Sequence, residues 1–437
     1  VNVIPQSANH MIVSLNGTIQ KPNSSFTVSG STITFSSNLA TGDVIDFIQI
    51  LGDVLDLGVP SDATVTTAKL ASDSVTYEKI GYNANQFRNI IINGDMSIAQ
   101  RGTSFTSVTA NTYTLDRWLT SGTGYTLTIT QDTDVPSGQG FAKSTKLQVT
   151  TANASPSAGD NLQYQTRFEG QMLQYLKFGT SSAESLTMSF WVKSNLTGVY
   201  CTEFQNDDND KTRGANFTIS SANTWEKKTI TISGDTASGF TNDNNRSMRL
   251  SFGLMSGSNT TGTNASIANW VTRSSNLTSI YPNLGVNFCS STSNYINIAG
   301  VQLEAGTTAS DFEFLPYDVN LRRCMRYYEK SYNDGTAPGT ATNTGSILSG
   351  GVSSAATTSY ISATAFFIIS KRGTPTITLY DMLGTSGKVS ADTVGTSSSN
   401  NQTAATGAIG YNVFVAFRTT GDSRTNVNFH YTADSEL

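Results

Sequence analysis

The sequence predicts an all-β chain of several antiparallel β-sandwich domains joined by a short extended neck. Composition is the first reason. Ser, Thr, Asn and Gly are abundant while charged residues make up only 14% of the 437, so strand and turn formers alternate and the Ala, Leu, Glu and Lys of long helices are scarce. The second is periodicity: short runs of alternating apolar and polar residues recur along the chain, such as 11–15, 125–130, 186–192 and 411–417, with the period of half-buried strands. The third is length, which allows two or three domains that each bury a core.

The first module, residues 1–52, alternates through 11–15, 26–28, 32–35 and 44–50, with Asn16-Gly17 and Ser29-Gly30 between runs. Asn-Gly between alternating runs is a strong hairpin signal. Its Asn16-Gly17 … Gln20-Lys21-Pro22 … Phe26-Thr-Val-Ser-Gly30 string resembles a module found near the front of many phage fibres. Residues 53–84 change character, because Val65-Thr-Thr-Ala-Lys-Leu70 is echoed ten positions later by Val75-Thr-Tyr-Glu-Lys-Ile80. Val65, Leu70, Val75 and Ile80 recur every five residues, which fits neither strand nor helix. One chain cannot hide such a stripe, whereas three parallel chains around an axis can. This predicts a trimeric neck, which is similar to fibre neck repeats; a polar linker is the alternative.

Residues 85–318 hold the main sandwich. Candidate strands are 125–130, 146–149, 186–192, 225–232, 248–252 and 295–303, and the stretch 168–176 reads as a helix because Phe168, Met172 and Leu176 share one face. Asn89-Ile-Ile-Ile-Asn-Gly-Asp95 with Asp116-Arg-Trp118 finds a partner in Tyr295-Ile-Asn-Ile-Ala-Gly-Val-Gln-Leu-Glu304. The pair resembles the opening and closing strands of galactose-binding-like jelly rolls, the architecture of carbohydrate-binding modules. Leu321-Arg-Arg-Cys-Met-Arg-Tyr-Tyr-Glu329 follows, a run similar to what tail-fibre proteins of tailed phages carry. Residues 319–437 restart the strand pattern and form a distal β-domain, with Gly-, Ser- and Thr-rich loops at 333–357 and 384–410 where recognition usually sits. The ending 431–437 resembles a natural fibre terminus, so a complete tip is expected.

Chemistry is sparse. Cys201, Cys289 and Cys324 stand far apart and read as buried thiols from a reducing cytosol. His10 and His430 are the only histidines and lie in opposite terminal modules, which speaks against a catalytic triad. Glycoside hydrolysis needs two carboxylates roughly 5 to 9.5 Å apart; Asp207, Asp208 and Asp210, or Glu304 with Asp311 and Glu313, are available, yet the first set reads as a solvated hairpin tip. No enzyme is expected. The jelly-roll resemblance implies a structural calcium near Asp95, but Ala299-Gly300 replaces the acidic pair that would complete it, and Asp95 also suits a turn cap. Otherwise no cofactor is expected.

Sugar binding asks for exposed aromatic rings. Trp118, Trp191 and Trp225 lie in apolar strands and read as core. The binding candidates are Trp270 and Tyr281 in the jelly roll and Tyr332, Tyr360 and Tyr380 in the distal domain, although a loop Trp more often plugs a sandwich end. With a net charge of −5 and no basic run longer than two residues, nucleic acid is an unsuitable partner, and no apolar run approaches a membrane span. The resemblances imply a homotrimeric fibre of a bacteriophage virion, made in the host cytoplasm. The N-terminal module would join other tail or baseplate proteins, and multivalent binding would attach the particle to host polysaccharide or lipopolysaccharide. A purely structural spacer is the alternative, and a depolymerase the weaker one.

Overall fold

The computed structural model describes residues 5, 7–51, 70, 87–259, 268–273, 281, 284–350, 360–392, 399–419 and 426–437. Antiparallel strands dominate, in agreement with the predicted class, and the chain divides into two compact units, Val1–Gly81 and Tyr82–Leu437. Of the expected neck stripe, Val65, Val75 and Ile80 lie outside the described residues, and Leu70 is exposed.

The first unit contains β1 (Met11–Leu15), β2 (Thr18–Ile19), β3 (Phe26–Ser29), β4 (Thr32–Phe35) and β5 (Ile45–Ile50). Asn16 and Gly17 have φ of 51° and 77°, the left-handed pair that lets a two-residue turn match strand twist, and Leu15 consequently sits opposite Thr18. Among the described residues β5 pairs with β1, in the order β2-β1-β5. Ala8, Met11, Val13 and Phe26 form a small core, while Ile45, Phe47 and Ile48 of β5 stay exposed.

The second unit begins with a sandwich. Its strands are β6 (Ser104–Val108), β7 (Thr112–Tyr113), β8 (Leu119–Thr123), β9 (Thr126–Asp132), β10 (Ser144–Thr151), β11 (Asn161–Glu169) and β12 (Leu186–Ser194). They continue with β13 (Gly198–Asn206), β14 (Lys211–Ile219), β15 (Glu226–Ile232), β16 (Arg246–Ser256), β17 (Val271–Thr272) and β18 (Tyr295–Ala305). One sheet has six strands in the order β15-β12-β18-β10-β9-β6; the other has seven, β17-β14-β13-β16-β11-β8-β7. Their inner faces enclose the core, where Trp118 stacks on Tyr164 at 5.2 Å and Phe190 meets Phe252 edge-on. The opening segment, read from sequence as a first strand, forms no strand of its own and docks irregularly beside the closing strand. Ile90 N donates to Leu303 O, Val301 N donates to Gly94 O, and the Asn89 amide binds Val301 O and Leu303 N.

One expectation is corrected here. Residues 168–176 are not a helix: Phe168 and Glu169 end β11, followed by short 3₁₀ turns at Gly170–Met172 and Gln174–Leu176. The long ladder from Asn161↔Ser256 to Glu169↔Arg246 outweighs a local i, i+4 pattern, as tertiary context often does. A Cβ at Gly170 would lie 1.9 Å from Thr241 O, so the chain there is clamped against a neighbour. The α-helix among the described residues is instead α1 (Tyr317–Met325), with Asp318 in its first turn and Arg322 and Arg323 in its last, complementing the helix dipole.

The distal lobe contains β19 (Tyr328–Lys330), β20 (Ile347–Gly350), β21 (Tyr360–Phe366), β22 (Thr376–Tyr380), β23 (Lys388–Asp392), β24 (Ser399–Gly407), β25 (Val413–Thr419) and β26 (Asn426–Asp434). Its sheet runs β19-β26-β23-β24-β25-β21, with β20 and β22 also pairing to β26. Phe367, Phe414, Phe429 and Tyr431 lead its core. Arginines join lobe and sandwich: Arg326 grips Glu169 at 2.8 and 2.7 Å, Arg117 pairs with Glu436, and Arg101 reaches Asp434 at 3.1 Å. The Arg117 and Arg101 guanidinium groups lie over the rings of Tyr327 and Tyr328 at 3.5 and 3.7 Å.

Candidate functional site

β12 shows how the site arises. Leu186, Met188, Phe190 and Val192 point into the core, so Thr187, Ser189, Trp191 and Lys193 point outward from the six-stranded sheet. Trp191 is therefore not core, contrary to expectation. Nor is Trp225, which precedes β15 in the same parity as the outward Lys227 and Thr229. Trp118 is core.

Trp191 lies opposite Lys227 on one neighbouring strand and Ala299 on the other. The small Ala299-Gly300 pair leaves a hollow beside the indole. Gly300 has φ +59° and a Cβ there would come 2.3 Å from the Phe141 ring, so only glycine lets that ring settle into the sheet. Phe141, Phe312 and Phe314 pack against one another with centroids 4.9 to 5.0 Å apart. Together with Trp191, Ser189, Lys227, Gln139 and Asp311 they line an open cleft of about 360 Å³, within the size range of small-ligand sites. Two segments bound it, 138–141 and 311–314. The first is anchored by Asp134, which accepts hydrogen bonds from Lys193 Nζ at 2.6 Å and Trp225 Nε1 at 2.9 Å. Burial alone would raise the Asp134 carboxyl, but these two donors prevail and hold it below the usual carboxylate range.

The residues expected to bind sugar are placed otherwise. Tyr281 is fully buried, its ring against Gly253, so it has no face to offer and is withdrawn as a platform. Trp270 packs on the core, meets Phe178 edge-on and donates Nε1–H to Ser233 O at 2.9 Å, the behaviour of a plug. Tyr332 is buried and stacks on His430 at 3.8 Å, with Tyr380 edge-on to it; Tyr380, like Trp270, is partly open. Tyr360 starts β21, and its ring lies outside the described side chains. Missed by sequence reasoning were Trp191, Phe141, Phe312 and Phe314. The parity of β12 could have found the first.

Several of the candidate carboxylates are committed, while Asp208 and Asp210 lie exposed at the turn. Asp207 binds Arg249 and Arg246 beside the turn from β13 to β14, Glu304 is buried against Ser310, and Glu313 holds the backbone of Asn89. Asp95 Oδ1 accepts from Asn320 at 3.0 Å and from Ser97 N at 3.4 Å, the geometry of a turn cap. The hollow beside it, about 10 Å³, is lined by amides and by Asp95 and Glu313 as its carboxylates. Among the described residues no group of three or more His, Cys, Asp or Glu converges on a metal position. A hard cation wants six or more oxygens, and these residues do not make such a site.

No family model matches the sequence, and no curated protein matches it. Among solved structures the chain is similar to the bacteriophage CBA120 tailspike protein 4 enzymatically active domain, at 14% identity over 50% of this chain and 21% of that one, TM-score 0.27. It is also similar to TmCBM61 in complex with beta-1,4-galactotriose, at 9% identity over 50% and 99% of the two chains, TM-score 0.27. A family 11 carbohydrate-binding module of a Clostridium thermocellum cellulosomal cellulase gives 12% identity over 48% and 98%, TM-score 0.23. The chain thus spans about a fifth of the tailspike's length. Likenesses at TM-scores this low carry no weight for what the chain does.

Proposed function

We infer that the chain is a fibre subunit of a phage particle that adsorbs to host-surface glycan without chemistry, holding sugar in the Trp191 cleft. The observation that carries this reading is a partly exposed indole in a cleft lined also by polar side chains. The C–H face of a pyranose stacks on an aromatic ring, while Lys227, Asp311, Gln139 and Ser189 surround it with donors and acceptors for hydroxyls. Among the described residues the cleft lining holds one carboxylate, Asp311, where the usual glycosidase device takes two; this favours binding over hydrolysis. Single sugars would be held weakly, and several copies on one particle would raise avidity by roughly 10² to 10⁴.

The test is glycan binding by the full chain and by Trp191→Ala, measured by titration with host-surface oligosaccharides. Trp191 lies on the outer face and outside the core cluster, so the variant is expected to fold, which circular dichroism checks. Affinity is expected to fall at least about tenfold, or 1.4 kcal/mol. Unchanged binding would remove the cleft from the reading, and release of new reducing ends would replace adsorption with depolymerisation.

A further inference from the structure

The two charges in the lining of the Trp191 cleft stand on different sides of the indole. Lys227 on β15, Trp191 on β12 and Ala299 on β18 lie abreast across the six-stranded sheet. Lys227 is the cation of the lining, on the β15 side, and is exposed. Asp311 is the carboxylate, on the β18 side, where its carbonyl accepts from Gln302 Nε2 at 3.2 Å and from Arg88 Nη2 at 2.6 Å. Its backbone is thus fixed while the residue stays exposed. Among the described residues neither Lys227 nor Asp311 has an ion-pair partner. The neighbouring charges are already used. Lys193 binds Asp134 at 2.6 Å, and Glu226 is taken by Lys228 and by the backbone N–H groups of Ser220 and Ser221.

We propose that the cleft selects an anionic sugar, a pyranose whose ring face lies on Trp191, whose carboxylate or phosphate meets Lys227 and whose hydroxyls turn to Asp311 and Gln139. The inference rests on the reading of the cleft as a glycan site and names its ligand class. An ammonium bound to an anionic oxygen makes a hydrogen bond roughly twice as strong as a neutral one, whereas a neutral sugar leaves Lys227 to water. Asp311 adds discrimination by repulsion: a ligand turned end for end would set its anion against this carboxylate. The cleft therefore fixes the direction of the sugar as well as its charge. The chain as a whole carries −5 and offers polyanions no general attraction, so the preference depends on this one lysine.

The experiment is titration of the full chain with uronic-acid oligosaccharides and with phosphorylated hexose oligosaccharides, each beside its carboxyl-reduced or dephosphorylated counterpart, which keeps ring and linkage but loses the charge. The variants are Lys227→Gln and Lys227→Arg; the exposure of Lys227 predicts that both fold, which circular dichroism checks. One charged set is expected to bind about three- to tenfold tighter than its neutral counterpart, with the difference shrinking as salt rises. Lys227→Gln should erase that difference and Lys227→Arg should keep it. The set that shows it decides between carboxylate and phosphate. Equal binding of charged and neutral sugars, or a preference that survives Lys227→Gln, overturns the proposal. Neutral sugar bound by the wild type and lost in Trp191→Ala would then leave the glycan cleft standing. A chain that binds neither these probes nor host-surface oligosaccharides overturns both.

Discussion

Gly300 shows how much one residue decides. Sequence reading took Ala299-Gly300 only as missing acid, whereas the structure uses the pair as missing bulk: the left-handed φ of +59° and the Phe141 ring fill the place of a Cβ. An Ala here adds roughly 1–2 kcal/mol of backbone strain and displaces the Phe141 ring from its seat. Gly300→Ala is expected to lower the melting temperature by several degrees and to weaken ligand binding, because the cleft floor shifts. Thermal denaturation followed by titration checks both. A variant that melts like wild type would mean that Phe141 repacks at no cost and that the cleft does not depend on this glycine.

Elements explain what was readable and what was not. The Asn16-Gly17 hairpin, the β-rich sandwich and the turn at Asp207 follow from local signals that tertiary packing has no reason to oppose. Phe190 and Trp191 are adjacent and both apolar, so hydrophobicity alone could not say which faces the core; the phase set by Leu186, Met188 and Val192 does, and the same phase was written around Trp225. By contrast Gly170 and α1 answer to partners distant in sequence. The join between β11 and α1 also carries a pH dependence. Burial works to raise the Glu169 carboxyl, but Arg326 and Tyr327 donate to it and hold it below the usual carboxylate range. A depressed carboxyl contributes stability that is complete above its unfolded value and is lost as pH falls through the folded one. Glu169→Gln should therefore cost about 2 kcal/mol at neutral pH and flatten the loss of stability on acidification below the usual carboxylate range. Denaturant melts across pH test this, and parallel wild-type and variant profiles would refute it.

At the scale of the whole molecule, Tyr82–Leu437 is one compact unit although it contains two cores. The arginine clamp gives the reason. Arg117 is 1% exposed and has Glu436 as its ion-pair partner, which Arg101 shares at 3.4 Å. Arg372 ties the same segment by donating to Ser435 O and Glu436 O at 2.8 and 3.0 Å while also bonding Asn244 O in the sandwich at 2.7 Å. Removing one member of such a buried pair leaves an uncompensated charge and costs about 3–5 kcal/mol. If the clamp makes the two cores cooperative, Glu436→Ala should lower one shared calorimetric transition for sandwich and lobe. The alternative outcome, a lobe that melts separately while the sandwich keeps its wild-type temperature, would mean that each core stands alone. The difference matters for the proposed adsorption, because a rigid pairing would hold the Trp191 cleft in a fixed orientation relative to the distal lobe, which multivalent attachment would call for.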